Sequence, residues 1–434
     1  MPDQEPAQPG PDAPRRGVSR RGLLGGGVLL GGAALATGGY VAGQAGAEAA
    51  GGGGDTASYP FRGTHQAGIV TEAQDRLHFA AFDVITDDRD RLVDLLRRWT
   101  DAAERMTQGQ SAGPLGAVNG GQNLPPDDTG EALDLPPSGL TVTFGFGPGL
   151  FDHPDDGDRF GIADRRPAAL EPLPHFPADV LDPARSGGDL CIQACAHDPQ
   201  VAVHAIRNLA RMGFGTVSVR WSQLGFGRTS TTTTSQSTPR NLFGFKDGTM
   251  NIRAEETQAL DDHVWVGADD DPAAAWLTGG SYLVARRVAM TIEVWDRQPL
   301  GDQERFVGRF KGSGGPLSGG AEDVDPDFEM QGSDGPIMPV DAHVSMVHPS
   351  RFEGARMLRR GYNFVDGTTE LGGLDAGLFF IAFVRDPRTG FIPVQTAMAR
   401  SDLLMEYLRF TSSALFAVPP GVAPGEHVGQ ALFA

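Results

Sequence analysis

The chain has 434 residues, 40% apolar and 8% aromatic, enough for two to three domains with a proper core. Its formal charge is -19 and its pI about 4.9, so it has no basic patch to neutralise phosphates, which argues against nucleic acid as a partner. The acidic balance suits a soluble protein working outside the cytoplasm.

Residues 1–58 read as signal and linker. The first 18 are rich in Pro, Gly and Asp and are expected to be disordered. Ser19-Arg20-Arg21-Gly22-Leu23-Leu24, the Gly-rich apolar run Gly25–Gly43 and the small-x-small Ala45-Gly46-Ala47 together resemble a twin-arginine export signal. Glycine interrupts the run too often for a strong spanning helix, so no stable membrane anchor is expected after cleavage. The expected destination is the extracellular space, the cell envelope or the periplasm, with the twin-arginine machinery as a partner. That route carries folded proteins and is often used when a cofactor is inserted before export.

A first domain, 59–255, opens with a predicted strand over 74–85. Asp87 and Asp88 can cap the helix that follows. Leu92, Leu95, Leu96, Trp99 and Met106 give that helix an apolar stripe. A polar loop (108–139) leads to a strand over 140–146, and a mostly irregular stretch (151–185) to a strand over 189–196. The two cysteines, Cys191 and Cys195, lie on this strand. Four positions apart is roughly 13 Å, too far for a disulfide. A zinc site lacks further ligands nearby, so both read as buried thiols. His197-Asp198-Pro199 starts a helix through Val203, Ile206 and Ala210, and a strand over 215–227 ends the unit.

The second domain, 256–434, repeats the grammar. A strand is expected over 281–296, a helix over 302–310, a Gly- and acid-rich loop over 312–334, a strand over 378–384 and a helix from about 401 to 410. Arg385-Asp386-Pro387 sits where His197-Asp198-Pro199 sits in the first half. The matching junctions suggest an α+β fold of duplicated ferredoxin-like units. Their antiparallel sheets would pack face to face with helices outside.

Three stretches carry the chemistry. Gly244-Phe245-Lys246-Asp247-Gly248-Thr249-Met250-Asn251 holds one carboxylate between two glycines that let the backbone bend sharply. By itself it reads either as a hairpin turn or as a carboxylate placed among aromatics for proton transfer. The second stretch is Asp341-Ala-His343-Val-Ser345-Met-Val-His348-Pro349. The third is Leu358-Arg359-Arg360-Gly361-Tyr362-Asn363. With Phe391-Ile-Pro-Val-Gln395 and the segment from Asp402 to Tyr407, they closely resemble the dye-decolorising peroxidases, in the exported branch that includes deferrochelatase/peroxidase enzymes. The likeness runs from about Arg62 to Gly421.

The resemblance implies one b-type haem per chain, held between the two halves. It assigns His343 as the iron ligand, Asp247 as the distal proton shuttle and Arg359 as the distal guanidinium, with Arg360 its rival. Gly248, Thr249 and Met250 would line the cofactor on one side, and His348, Pro349 and Ser350 on the other. Where the family commonly has Arg two residues after the ligand, this chain has Ser345, so Arg351 is the candidate for a propionate contact. Asp341, two residues before His343, is an acidic neighbour whose role is left open. Hydrogen peroxide and an organic reductant are the implied substrates. Bulky dyes cannot enter a closed haem pocket, so Trp99, Trp221, Trp265, Trp276, Trp295, Tyr362 and Tyr407 are candidates to pass electrons. The alternatives are a deferrochelatase that releases iron from haem, an extracytoplasmic haem carrier, and a duplicated fold without cofactor. A homo-oligomer is left open.

Overall fold

Two βαββαβ units follow one another in a computed structural model that describes residues 56–333 and 335–434; the twin-arginine motif lies outside the described residues. The first unit is β1 (Arg76–Val84), α1 (Arg89–Thr107), β2 (Thr141–Phe146), β3 (Leu190–Ala196), α2 (Pro199–Met212) and β4 (Val217–Arg228). The second begins with α3 (Thr257–His263), β5 (Ser281–Met290), α4 (Ile292–Trp295) and α5 (Leu300–Val307). After a two-residue hairpin, β6 (Gln331–Gly332) and β7 (Gly335–Pro336), come α6 (His343–Val347), β8 (Leu358–Arg359) and β9 (Tyr362–Thr368). It ends with β10 (Leu374–Val384), α7 (Pro387–Gly390), α8 (Ile392–Ser401) and β11 (Leu408–Val418).

The strand order is β2-β3-β1-β4 in the first sheet and β11-β5-β10-β9 in the second, all antiparallel. The two orders are equivalent, as expected of duplicated ferredoxin-like units. The sheets also join along both edges. β4 meets β9 at Phe226↔Asn363, and β2 meets β11 at Phe146↔Ala417. Face-to-face packing therefore becomes a closed ring, which removes the unpaired edges an open sheet would expose.

Strand pleating explains the core. Leu77, Phe79, Ala81, Cys191, Cys195 and Trp221 point into the ring and meet Leu283, Tyr362, Phe379 and Phe416 from the second sheet. Ala80, Phe82, Ile192 and Ala194 point outward under α1 and α2. This is why β2 and β3 are buried at every position. The apolar stripe of α1 lies against the sheet, with Trp99 5.4 Å from Phe82 and 5.9 Å from Phe144 between ring centroids. Asp88 caps α1 by accepting from the Asp90 and Arg91 amides, and Asp198 caps α2 in the same way. Asp386 caps α7, so both Asp-Pro junctions start helices.

Two expectations from periodicity fail. The strand expected over 281–296 stops at Met290, and Ile292–Trp295 turns into helix. The helix expected over 401–410 is a 3₁₀ turn at Leu403–Tyr407 that runs into β11 at Leu408, and the α-helix α8 ends just before it at Ser401. Pro393 sits in the first turn of α8, where a helix tolerates it. Cys191 and Cys195 are free and buried, as expected. Among the described residues no helix is long and apolar enough to cross a membrane.

The long loop 108–139 is held by one buried carboxylate. Asp128 accepts from the Ala112 and Gly130 amides at 2.7 Å each and from His204 Nε2 at 3.0 Å. Burial alone would raise its pKa; His204 and the two amides outweigh burial and bring it below the usual value. A carboxyl depressed in the fold stabilises above the unfolded value near ~4, and that stability is lost as pH falls through the folded value. We predict that Asp128→Asn lowers stability by about 1–3 kcal/mol at pH 7 in urea unfolding. The gap to the parent protein should narrow below about pH 4.

Candidate active site

The loop from Gly244 to Asn251 is shaped by two left-handed glycines. Gly244 has φ +82° and Gly248 φ +75°. A Cβ on Gly248 would also lie 2.7 Å from the Ser230 Cα, so the position takes no side chain. On either side of Gly244, the rings of Phe243 and Phe245 turn into the core, Phe243 stacking on Trp295 at 4.3 Å. The expected aromatic surround of Asp247 is thus absent on this side. Its carboxylate is held by polar donors instead: Oδ1 accepts from the Gly248 amide at 2.8 Å and Oδ2 from Asn241 Nδ2 at 3.2 Å.

Facing Asp247 is Arg359, with Nη1 3.4 Å from Oδ1. The Arg359 backbone is clamped by Asn251. Its amide donates to Asn251 Oδ1 at 2.7 Å, and Asn251 Nδ2 donates to its carbonyl at 2.9 Å. Ser230 Oγ donates to the same carbonyl at 2.8 Å. Arg360 goes the other way. It is fully buried, and its guanidinium donates to the carbonyls of Ile69, Thr71 and Glu72 and to Gln74 Oε1. Of the two rival arginines, only Arg359 faces Asp247.

His343 is the first residue of the five-residue α6. Its Nδ1 lies 2.6 Å from Asp402 Oδ2, and the Asp402 side chain is fully buried. Asp402 Oδ1 accepts from the Leu404 amide, which holds the carboxylate in place. Burial disfavours a charged ring at His343, but the Asp402 carboxylate outweighs it and raises the imidazole's pKa. Nδ1 is thereby committed and Nε2 is left for another partner. Asp341 is not that partner; it pairs loosely with Arg305 at 3.7 Å. The charges of Asp247 and Arg359 both act on the His343 ring, so the three groups share one neighbourhood.

Gly248 is buried there, with Thr249 and Met250 half-buried beside it. His348 Nδ1 accepts from the Ser350 amide at 3.3 Å and lies 2.9 Å from Ser350 Oγ, starting the 3₁₀ turn Pro349–Arg351. Burial, with Arg309 and Arg351 nearby, lowers its pKa against the pull of Asp325. Ser350 and Arg351 are exposed, and Arg351 donates to the Val340 carbonyl at 3.1 Å. A second buried guanidinium, Arg309, was not singled out from the sequence. It donates to the Gly314 and Glu322 carbonyls at 2.7 and 2.9 Å. Its pKa is lowered by burial and by the charge of Arg359, which places it on the same side. Asp402 was noticed only as the start of a helix; the Asp-Leu-Leu capping pattern is the signal that marks it.

Buried polar atoms on these elements lack a hydrogen-bond partner: Ser345 Oγ on α6, Gln395 Nε2 on α8, and His348 Nε2, which only pairs loosely with Asp325 at 4.0 Å. Leu378, Phe380 and Met398 pack against the neighbouring cluster yet stay partly exposed. Apolar walls with unmet polar atoms at hand are what a flat, largely apolar ligand with polar edges requires. No group of three or more metal-binding side chains occurs among the described residues. All seven candidate electron-passing aromatics are buried.

Residues 66–227 match the family model for the N-terminal part of Dyp-type peroxidases, and residues 238–423 the model for the C-terminal part. The chain belongs to the Dyp-type peroxidase family. It is 36% identical over 372 residues to a deferrochelatase of Yersinia pestis, covering 85% of this chain and 83% of the relative. A deferrochelatase of Escherichia coli K12 is 36% identical over 378 residues, 86% of each chain. Among solved structures, ferric DtpA from Streptomyces lividans superposes with a TM-score of 0.78 at 40% identity, covering 87% of this chain and 97% of that one. The DyP-type peroxidase from Cellulomonas bogoriensis gives 0.76 at 37% identity, with 87% and 98% covered. The family, the enzyme class and the duplicated α+β fold expected from the sequence are borne out.

The Asn251 clamp yields a test. Asn251→Ala removes the partner of the Arg359 amide and of the Thr231 carbonyl, the Arg359 carbonyl keeping Ser230, and should cost about 2–4 kcal/mol in urea unfolding.

Proposed function

We propose that this Dyp-type peroxidase binds one b-type haem beside His343 and uses it to reduce hydrogen peroxide while oxidising an organic reductant by single-electron steps. The observation that carries this is the convergence of an Asp402-oriented imidazole with an acid and a guanidinium. The residues fit the group: one histidine has a free Nε2, apolar walls are partly open, and buried polar atoms lack partners. When bound, the haem would supply a centre that hydrogen peroxide can oxidise by two electrons and that single electrons from the reductant restore.

His343 Nε2 would hold the iron. The Asp402 carboxylate on Nδ1 fixes the ring and strengthens it as a donor. Asp247 would take a proton from one oxygen of the peroxide and return it to the other. The Gly248 amide and Asn241 keep its carboxylate aimed for this. Arg359 would hold the peroxide anion and stabilise charge as the oxygen–oxygen bond breaks. Arg309, Ser345 and Gln395 are the groups with buried donors for the polar edge of the macrocycle. Thr249, Met250, His348 and Pro349 would line it. We further propose that the enzyme is exported by the twin-arginine route, which residues 19–47 support.

A second reading is favoured by the deferrochelatase relatives: release of iron with the porphyrin left whole. Incubation with haem separates the two, because only deferrochelation yields free protoporphyrin.

His343→Ala should abolish the Soret band of the purified protein. Asp247→Ala or Arg359→Ala should slow its stopped-flow reaction with hydrogen peroxide by about 10²-fold or more. Parent-like rates in both variants would remove the pair from the mechanism.

A further inference from the structure

The carboxylate of Glu322, on the glycine-rich stretch between α5 and β6, reaches the loop that carries Asp247 at two places. Thr238 Oγ1 donates to its Oε1 at 2.8 Å, and the Lys246 ammonium donates to its Oε2. These two residues stand at the two ends of a short hairpin. Arg240 and Lys246 form an antiparallel bridge, and the Asp247 amide donates to the Pro239 carbonyl at 3.0 Å. One side chain therefore joins both legs of the hairpin, and Asp247 is the next residue along.

The stretch around Glu322 forms a strap across this hairpin. Arg309 donates to the carbonyls of Gly314 and Glu322 and so closes 309–322 on itself. Arg240 donates to the Lys311 and Gly312 carbonyls at 2.6 and 2.9 Å. Gly314 has φ +80°, and a Cβ there would lie 2.6 Å from Lys246 Cδ, so the lysine stem crosses bare backbone on its way to Glu322. Burial would raise the Glu322 pKa; the hydrogen bonds from Lys246 and Thr238 outweigh it and lower the value, which keeps the carboxylate ionised. The same charge opposes the effect of burial on Arg309. Successive side chains on an extended segment point to opposite sides. With Lys246 drawn to the strap, Asp247 is turned the other way, where Arg359 stands.

We propose that Glu322 is a positioning residue for the reaction with peroxide: by joining Thr238 to Lys246 it sets where the Asp247 carboxylate stands relative to Arg359. The proposal rests on the peroxidase reading. The Lys246 and Glu322 side chains are 25% and 28% exposed, and an ion pair so open to water adds little to overall stability. Its effect is on geometry. A proton passes only when acid and peroxide are within hydrogen-bond reach, and a displacement of about 1 Å can cost on the order of 10²-fold in rate. Glu322 itself does not touch the peroxide; it acts through Asp247.

The experiment uses the full haem-loaded chain, with hydrogen peroxide as probe. Glu322→Ala should unfold in urea at the parent's midpoint, while its stopped-flow rate with peroxide falls by about tenfold. In an Asp247→Ala background the same substitution should change the rate by less than about twofold, because the group it positions is gone. Hydrogen exchange read by mass spectrometry without peroxide should quicken across 238–248 in Glu322→Ala and stay at the parent's rate in β5 and β10. Lys246→Met, which breaks the pair from the other side and leaves Thr238 bonded, should slow the peroxide reaction in the same direction. A Glu322→Ala rate within about twofold of the parent's, an equal fall with and without Asp247, or unchanged exchange across 238–248 would overturn the proposal. If the parent shows no reaction with peroxide, the peroxidase reading fails and this one with it. A parent that reacts while Glu322→Ala and Lys246→Met both match it overturns this inference alone.

Discussion

A β-strand turns its side chains to opposite faces at every step, and this alternation separates the two adjacent arginines of the chain. Leu358 and Arg360 point into the ring; Arg359, between them, points out toward Asp247. A slip of one position would bury the guanidinium that faces the acid and expose the one that bonds the Ile69–Gln74 segment. Three devices hold the register. They are the Arg359↔Ala382 pairing, the Arg360 amide on the Ile381 carbonyl, and the two-sided Asn251 clamp.

The two halves do different work on this frame. The acid, Asp247, stands on the connection between β4 and α3, and the strands and helices of the first unit contribute neither the guanidinium nor the imidazole. That unit closes the ring, and its segment Ile69–Gln74 binds the inward arginine, so the strand beyond Arg359 is anchored across the interface. The second unit supplies the imidazole from α6 and its carboxylate from the turn after α8. Packing of α6 on α8 and the Leu403 amide on the Asp341 carbonyl tie those elements together.

The first unit was legible because its signals are local: Asp88 and Asp198 cap helices, and the α1 stripe and the run of β3 each have one reading. The second unit was harder. Ile292–Trp295 and Leu408–Val418 carry apolar residues whose spacing suits helix or strand, and tertiary packing decides between them. The motif residues Asp247, Arg359 and His343 were found by resemblance, and the structure brings them together. Asp402 lies 59 residues from His343, so its capping pattern does not tie it to the imidazole, and nothing local sets Arg309 apart from Arg305 and Lys311 beside it. The surround of Asp247 was misjudged because neighbours in sequence were taken as neighbours in space. A turn with two left-handed glycines sends Phe243 and Phe245 into the core.

The sealed interior of the ring bears on how such an enzyme survives its own substrate. Peroxide attacks sulfur as the thiolate, and Cys191 and Cys195 are enclosed among Phe79, Tyr362 and Phe416 with burial holding both as thiols. The two sheets thus act as a casing that keeps oxidant from the protein's cysteines. Modification of either sulfur becomes a clock for the opening of the barrel.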